Sequence, residues 1–273
     1  MKINRLQGYE EYLKIVGEYG GKGCLSNDYI QREAESLVKD GKLYAYCVEK
    51  NAFLFVRKPS GLRLYYYLND LSEHYEFDLE DDLVIEILYR GERFFPDELV
   101  KYFESCGFQK NLVRDQYAGV YGDMLHVDTK PNVEIRLAEN IDEVAKAAEL
   151  FNASFDRLSG DFVAKEDYAT LLEKRSILMA FDGQGNFLGA LHQTIENNVA
   201  WLSHVAIEED ARGRRVGQSL LDEFIERNKV SDKSRYMLWV QHQNEAAVNM
   251  YQKKGFKYLG KSTISLLKIN KIQ

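Results

Sequence analysis

Val205-Ala206-Ile207-Glu208-Glu209-Asp210-Ala211-Arg212-Gly213-Arg214-Arg215-Val216-Gly217-Gln218-Ser219-Leu220-Leu221 decides how this chain is read. An apolar strand, Val199–Ile207, ends in a basic, glycine-containing loop. The loop runs into a helix with Val216, Leu220, Leu221, Phe224 and Ile225 on one face. The first backbone N–H groups of a helix have no intrahelical partners, and the helix dipole adds partial positive charge there. Gly213 and Gly217 permit tight turning and close approach of a ligand to the backbone. Three arginines, Arg212, Arg214 and Arg215, fall within four residues. A pyrophosphate would find donors and charge together at this point. The loop alone is equally an ordinary solvated basic loop at a helix start. The glycine spacing is not that of a dinucleotide site, and a Walker-type site would need a Lys-Ser/Thr pair that is absent.

A second constellation lies downstream. Arg235–Gln241 reads as a strand and Glu245–Lys254 as a helix. Asn244, Ala247, Tyr251, Gly255 and Phe256 form N-x-x-A-x-x-x-Y-x-x-x-G-F. Helical spacing puts Asn244, Ala247 and Tyr251 on one face. An amide and a phenol are therefore expected at the same sheet edge as the basic loop.

With both signatures present in this order, residues 133–270 resemble the GNAT superfamily of acyl-CoA-dependent N-acyltransferases. The resemblance implies that the backbone of Arg212, Gly213, Arg214, Arg215, Val216 and Gly217, continuing into Gln218 and Ser219, binds the pyrophosphate of acetyl-CoA as acyl donor. It implies that the strand before the loop splays from its neighbour, and that the backbones of Val205, Ala206 and Ile207 pair with the pantetheine arm. It implies a cofactor contact for Asn244, and a general-acid role for Tyr251 towards the departing thiolate. A phenol with a pKa near 10 suits that donation.

Two departures accompany the resemblance. Arg215 stands where the family has a middle glycine. Its side chain either blocks the approach of the pyrophosphate or adds a charge-assisted contact, since the backbone N–H remains. Some relatives carry a glutamate base on the strand before the tyrosine helix, where this chain has Trp239. The base candidates are then His204, His242, Glu208 and Glu209, with His204 next to Val205 preferred over the others.

Composition sets the outer bounds. The chain has 273 residues, 45% hydrophobic and 29% charged, with three prolines, which excludes disordered and collagen-like classes. The net charge of −7 makes it a poor general nucleic-acid binder. No apolar run is long enough to span a bilayer and the N-terminus lacks a signal-peptide core, so a cytoplasmic location is expected. Cys24, Cys47 and Cys106 have neither metal-ligand nor redox spacing, and no metal site is expected.

The first half repeats the element order of the second. Tyr9–Tyr19 and Asp28–Lys39 read as helices, the latter capped by Ser26 or Asn27. Leu43–Val48, Ala52–Arg57, Leu62–Leu68 and Leu83–Tyr89 read as strands, and Asp97–Ser105 as a helix ending in Cys106-Gly107-Phe108. That ending matches Lys254-Gly255-Phe256, and it aligns Phe103, which has no proton to give, with Tyr251. The segment between Leu68 and Leu83 is too short for a loop plus a full helix, and its seven carboxylates would repel a pyrophosphate.

The expected architecture is α/β: tandem GNAT-like domains, each a mixed, mostly antiparallel sheet flanked by helices. Residues 1–126 would form a degenerate domain, 127–132 a linker and 133–273 the transferase domain. The expected activity is acetyl transfer from acetyl-CoA to a primary amine of a small molecule or peptide. The alternatives are a non-catalytic acyl-CoA-binding protein and an aminoacyl-tRNA-dependent transferase.

Overall fold

A computed structural model describes residues 2–125, 133–160 and 162–270. The expected linker, 127–132, lies outside the described residues. In chain order the elements are β1 (Asn4–Arg5), α1 (Tyr9–Tyr19), β2 (Leu25–Ser26), α2 (Ala34–Lys39), β3 (Leu43–Cys47), β4 (Asn51–Lys58), β5 (Gly61–Leu68), β6 (Leu83–Tyr89), α3 (Asp97–Ser105) and β7 (Gln109–Val120). The second half continues with β8 (Glu134–Leu137), α4 (Ile141–Ser154), α5 (Tyr168–Glu173), β9 (Ile177–Phe181), β10 (Phe187–Glu196), β11 (Val199–Ile207), α6 (Val216–Arg227), β12 (Arg235–Gln241), α7 (Glu245–Lys254) and β13 (Lys257–Lys268). No helix among the described residues is long and apolar enough to cross a membrane.

The chain forms two compact units, one of residues 1–113 with 262–273, the other of residues 114–261. This differs from a single division at 127–132. Strand β7 starts in the first unit and ends in the second, and β13 makes the opposite passage. The reason is pairing. Arg114–Val120 pairs antiparallel with β12, whereas Ser262–Lys268 pairs antiparallel with β6. Strand β7 had no sequence expectation, because its polar Asp115 and Gln116 break the apolar alternation that marks a half-buried strand.

The first unit orders its strands β1-β3-β4-β5-β6-β13, with β5 and β6 parallel. One face packs α3 through Leu99, Val100 and Phe103 onto Phe53, Leu64, Leu83 and Ile85. The other packs α1 and α2 through Tyr12, Ile15, Ala34 and Leu37 onto Leu54, Val56 and Tyr67. The expected helix over Asp28–Lys39 is reduced to α2. Neither expected cap reaches it: the Asn27 side chain is buried in other hydrogen bonds, and the Ser26 hydroxyl accepts from the Asp28 N–H at 3.1 Å. Asp28 accepts from the hydroxyls of Tyr12 and Tyr67, and burial beside that carboxylate pushes both phenols well up from their ordinary range.

The second unit orders its strands β7-β12-β11-β10-β9-β8, antiparallel except for the parallel pair β11 and β12. Helices α6 and α7 cover one face, where Leu220, Phe224, Ile225 and Tyr251 meet Leu191, Leu202, Tyr236 and Leu238. Helix α4 covers the other, where Val144, Ala148 and Phe151 meet Met179, Ala190 and Ala206. Asn140 caps α4 by accepting from the Glu143 N–H at 3.0 Å. Asn140 followed by Glu143 has the sequence of a capping box, but Glu143 takes the Glu139 N–H and a bidentate pair from Arg136 rather than returning to residue 140.

Candidate active site

The decisive geometry is a split in the sheet of the second unit. Strands β11 and β12 pair only over Val199–Leu202 with Arg235–Leu238. Beyond that, β11 stays with β10 to Ile207 and β12 stays with β7 to Gln241. A bulge sits at the same point: Gln193 pairs with Leu202 but His192 with His204, which leaves Ser203 as the extra residue. The bulge reverses the alternation. Ala200 and Leu202 face the α6/α7 core, and past Ser203 that face is taken by Val205 and Ile207. His204 and Ala206 face α4 instead. The expected splay is thus built by one inserted residue.

The loop after β11 is made for exposed backbone. A short turn over Glu209–Ala211 leads to Arg212–Arg215, all exposed. Gly213 has φ 76° and Arg215 has φ 62°, so the residue at the family's glycine position keeps the left-handed backbone a glycine would favour. Among the described residues, the backbone N–H groups of Gly213, Arg214, Arg215, Val216, Gly217 and Gln218 have no hydrogen-bond acceptor. Helix α6 has no acidic residue in its first turn, whereas α1, α3, α4 and α7 each have at least one. Six free donors, the helix dipole and three arginines converge on the exposed turn. The Ser219 N–H, unlike the six before it, donates to the Arg215 carbonyl at 3.1 Å. Ser219 is buried, and its hydroxyl donates to the same carbonyl at 3.0 Å, so it shapes the turn from within. A Cβ added at Gly217 would lie 3.7 Å from Ile207 Cγ1 and 3.8 Å from Met250 Sδ, which places β11, α6 and α7 against one another here.

Helix α7 holds the second signature. Asn244 is its N-cap rather than a member of its face, with Oδ1 accepting from the Ala247 N–H at 3.1 Å. Its Nδ2 donors remain for other partners. Gly255 ends the helix at φ 112°, and the Phe256 N–H returns to the Tyr251 carbonyl at 3.0 Å. Phe256 lies edge-on to Tyr251, with ring centroids 5.8 Å apart. Tyr251 is 3% exposed, and burial pushes its phenol well above the ordinary range. The Lys254–Asp222 ion pair, 2.6 Å long with the lysine buried, ties α7 to α6.

The base candidates separate in space. His204 is 5% exposed, stacks on Phe151 and His192, and has its Nδ1 3.2 Å from His192 Nδ1. His242 is exposed just past β12, and its Nδ1 lies 2.7 Å from the buried Asp115 carboxylate. Glu208 and Glu209 sit past the end of β11, towards the basic loop. Asp115, on the unread strand β7, carried no sequence signal. Among the described residues no three His, Cys, Asp or Glu converge to hold a metal ion.

The first unit carries the counterpart of this split and fills it. Strands β5 and β6 pair only over Leu62–Leu64 with Leu83–Ile85. Past that point β2 pairs with β5, Leu25 with Leu68 and Ser26 with Tyr67. Asn27 completes the closure. Its amide donates to Glu86 O at 3.1 Å and Leu64 O at 3.5 Å, and accepts the Tyr66 N–H at 2.8 Å. No helix of residues 69–82 supplies an exposed turn, and Asp70, Asp81 and Asp82 there hold Lys50, Arg57 and Asn270. Phe103 occupies the place of Tyr251: Phe108 N–H returns to its carbonyl at 3.0 Å, and the two rings lie edge-on at 5.6 Å.

Comparisons with known proteins bear on the fold. Residues 144–256 match the family model described as Acetyltransferase (GNAT) family. No curated protein sequence matches the chain. Among solved structures, a GCN5-related N-acetyltransferase from Sphaerobacter thermophilus is similar at 14% identity and TM-score 0.56, over 99% of this chain and 96% of that one. An acetyltransferase of the GNAT family from Colwellia psychrerythraea is similar at 13% identity and TM-score 0.51, over 98% and 100%. A GCN5-related N-acetyltransferase from Kribbella flavida is similar at 12% identity and TM-score 0.53, over 82% and 88%. Identities this low speak for the fold alone. Residues 144–256 therefore match the GNAT acetyltransferase family model, within a fold shared along nearly the whole chain with GCN5-related N-acetyltransferases.

Proposed function

We propose that the second unit transfers an acetyl group from acetyl-CoA to a primary amine. The observation that carries this reading is the row of acceptor-less N–H groups from Gly213 to Gln218, at the end of a strand that has parted from its neighbour. Those donors hold the pyrophosphate, and the free edge of β11 at Val205, Ala206 and Ile207 pairs with the pantetheine amides. Asn244 offers Nδ2 to the same arm. The thioester carbonyl then lies by the bulge, where a backbone N–H near Val205 polarises it.

The amine nitrogen attacks that carbonyl carbon and forms a C–N bond. The tetrahedral intermediate collapses, the C–S bond breaks, and the thiolate takes the Tyr251 phenolic proton. The attacking nitrogen gives its proton to His204, one residue past the bulge, with the His192 ring adjoining it. His242 is the second candidate, because the Asp115 carboxylate orients its ring as a base requires. Filling of the corresponding split by β2 and Asn27 supports a non-catalytic role for the first unit.

Tyr251→Phe tests the mechanism. Calorimetry is expected to show unchanged CoA affinity, while kcat for thioester turnover over a panel of amines falls by roughly 10²–10⁴-fold. Because burial raises the Tyr251 pKa, the acid stays protonated through neutral pH. The wild-type kcat profile should then show no loss attributable to Tyr251 at the ordinary tyrosine value of about 10. Unchanged turnover in the variant would remove Tyr251 from the mechanism, and absence of CoA binding would leave only the fold.

A further inference from the structure

The second unit buries a polar atom that the reading above does not use. Gln116, on β7, is 5% exposed, and its Oε1 has no hydrogen-bond donor. A carboxamide oxygen kept from water without a donor is costly, so a ligand that supplies one recovers that cost. Gln116 pairs directly across the strands with Trp239. Trp239 is in turn the first residue of β12 beyond its last pair with β11, at the mouth of the split.

The faces are fixed by the core. Tyr117, Leu238, Val240, Ala200 and Leu202 pack against α6 and α7. Their strand neighbours Gln116, Trp239 and Trp201 therefore point to the opposite face, the one that also holds His204. Trp201 and Trp239 are the two tryptophans of the chain, and both are half-buried on this face. Indole rings offer a flat apolar surface and attract a cation to their faces.

We propose that this face seats the acceptor, and that the acceptor is an amine bearing a second N–H or O–H donor a few bonds from its reacting nitrogen. The second donor bonds to Gln116 Oε1, and the intervening chain lies on the Trp239 ring. This rests on the placement of the thioester at the β11/β12 split, and it adds the class of amine. The indoles favour an ammonium over a hydroxyl as the second group.

Both tryptophans lie on the proposed face, so intrinsic fluorescence reports binding without chemistry. Butylamine, butane-1,4-diamine and 4-aminobutan-1-ol would be titrated into the full chain with CoA present. The expected result is a saturable change with the diamine at a Kd on the order of tenfold below that of butylamine, with the amino alcohol between them. An amino alcohol that binds as well as the diamine assigns the second group to any donor; a weaker one assigns it to an ammonium. Gln116→Leu should remove the diamine preference while leaving the butylamine Kd unchanged, and Gln116→Glu should strengthen it. Equal binding of the three amines by the wild-type chain overturns the proposal, whether or not the variants fold. A retained diamine preference in Gln116→Leu also overturns it. Acetyl transfer to the same amines is measured in parallel. Selective binding without transfer would sink the transferase reading while upholding this acceptor site.

Discussion

Arg215 shows how a single residue can keep a turn's geometry while changing its chemistry. Its φ of 62° is the conformation in which glycine is free and a side chain is strained by about 1–2 kcal/mol. The strain is tolerated because the turn must deliver N–H groups outward, and the Arg215 carbonyl is fixed from behind by the Ser219 N–H and hydroxyl. The exposed guanidinium points away from the core and adds charge beside the donors. Arg215→Gly should therefore leave stability within about 1 kcal/mol of wild type, relief of strain being offset by a freer unfolded chain. Calorimetry on that variant separates the two roles open to the side chain. A weaker CoA affinity marks Arg215 as a contact, and a stronger one marks it as an obstruction. Tyr251 and Phe103 make the complementary case. Both sit at the same place in a glycine-terminated helix with an edge-on phenylalanine, and they differ by one hydroxyl.

At the scale of the element, what matters is where pairing stops. A parallel pair that ended with its strands would leave no room for a ligand arm. Here β11 and β12 part after four residue pairs, because Ser203 is inserted and the next residues turn over. The first unit parts its β5 and β6 after three pairs and then closes the gap with β2 and the Asn27 amide. The shortness of α2 accompanies this, since Asn27 cannot both cap a helix and satisfy its buried partners. Asn27→Leu keeps the volume but strips donors from Leu64 O and Glu86 O and an acceptor from the Tyr66 N–H. Urea denaturation is expected to show a loss of roughly 3 kcal/mol, by the cost of dry unpaired groups. A loss below about 1 kcal/mol would mean that water replaces the amide and that the gap is not closed.

For the whole molecule, the exchange of strand ends governs what can fold. The second unit takes Arg114–Val120 from ahead of its own first helix, and β12 pairs with it along its full length from Arg235 to Gln241. A fragment of residues 133–273 lacks that strand and exposes a seven-residue edge together with the Tyr117 side of the core. It should give no cooperative thermal transition by near-ultraviolet circular dichroism and should aggregate, whereas a fragment of residues 114–261 should melt cooperatively. Cooperative melting of the shorter-started fragment, 133–273, would show that β7 is dispensable to the second unit.

Local chemistry wrote most of the elements and both signatures into the chain. Apolar spacing set α3, α7, β6, β11 and β12 at their observed bounds, because each buries one periodic face. Glycine set the end of α7, and charge and glycine content marked the basic loop. Tertiary structure alone decided the rest. Strand β7 was unreadable because its polar residues are satisfied or seated by partners distant in sequence, as Asp115 is by His242. The bulge at Ser203, the filling of the first unit's split by Asn27 and the burial of Gln116 Oε1 without a donor all depend on which strand lies beside which. Periodicity reports a residue's own element. It carries no information about the neighbour that satisfies, or leaves open, that residue's hydrogen bonds.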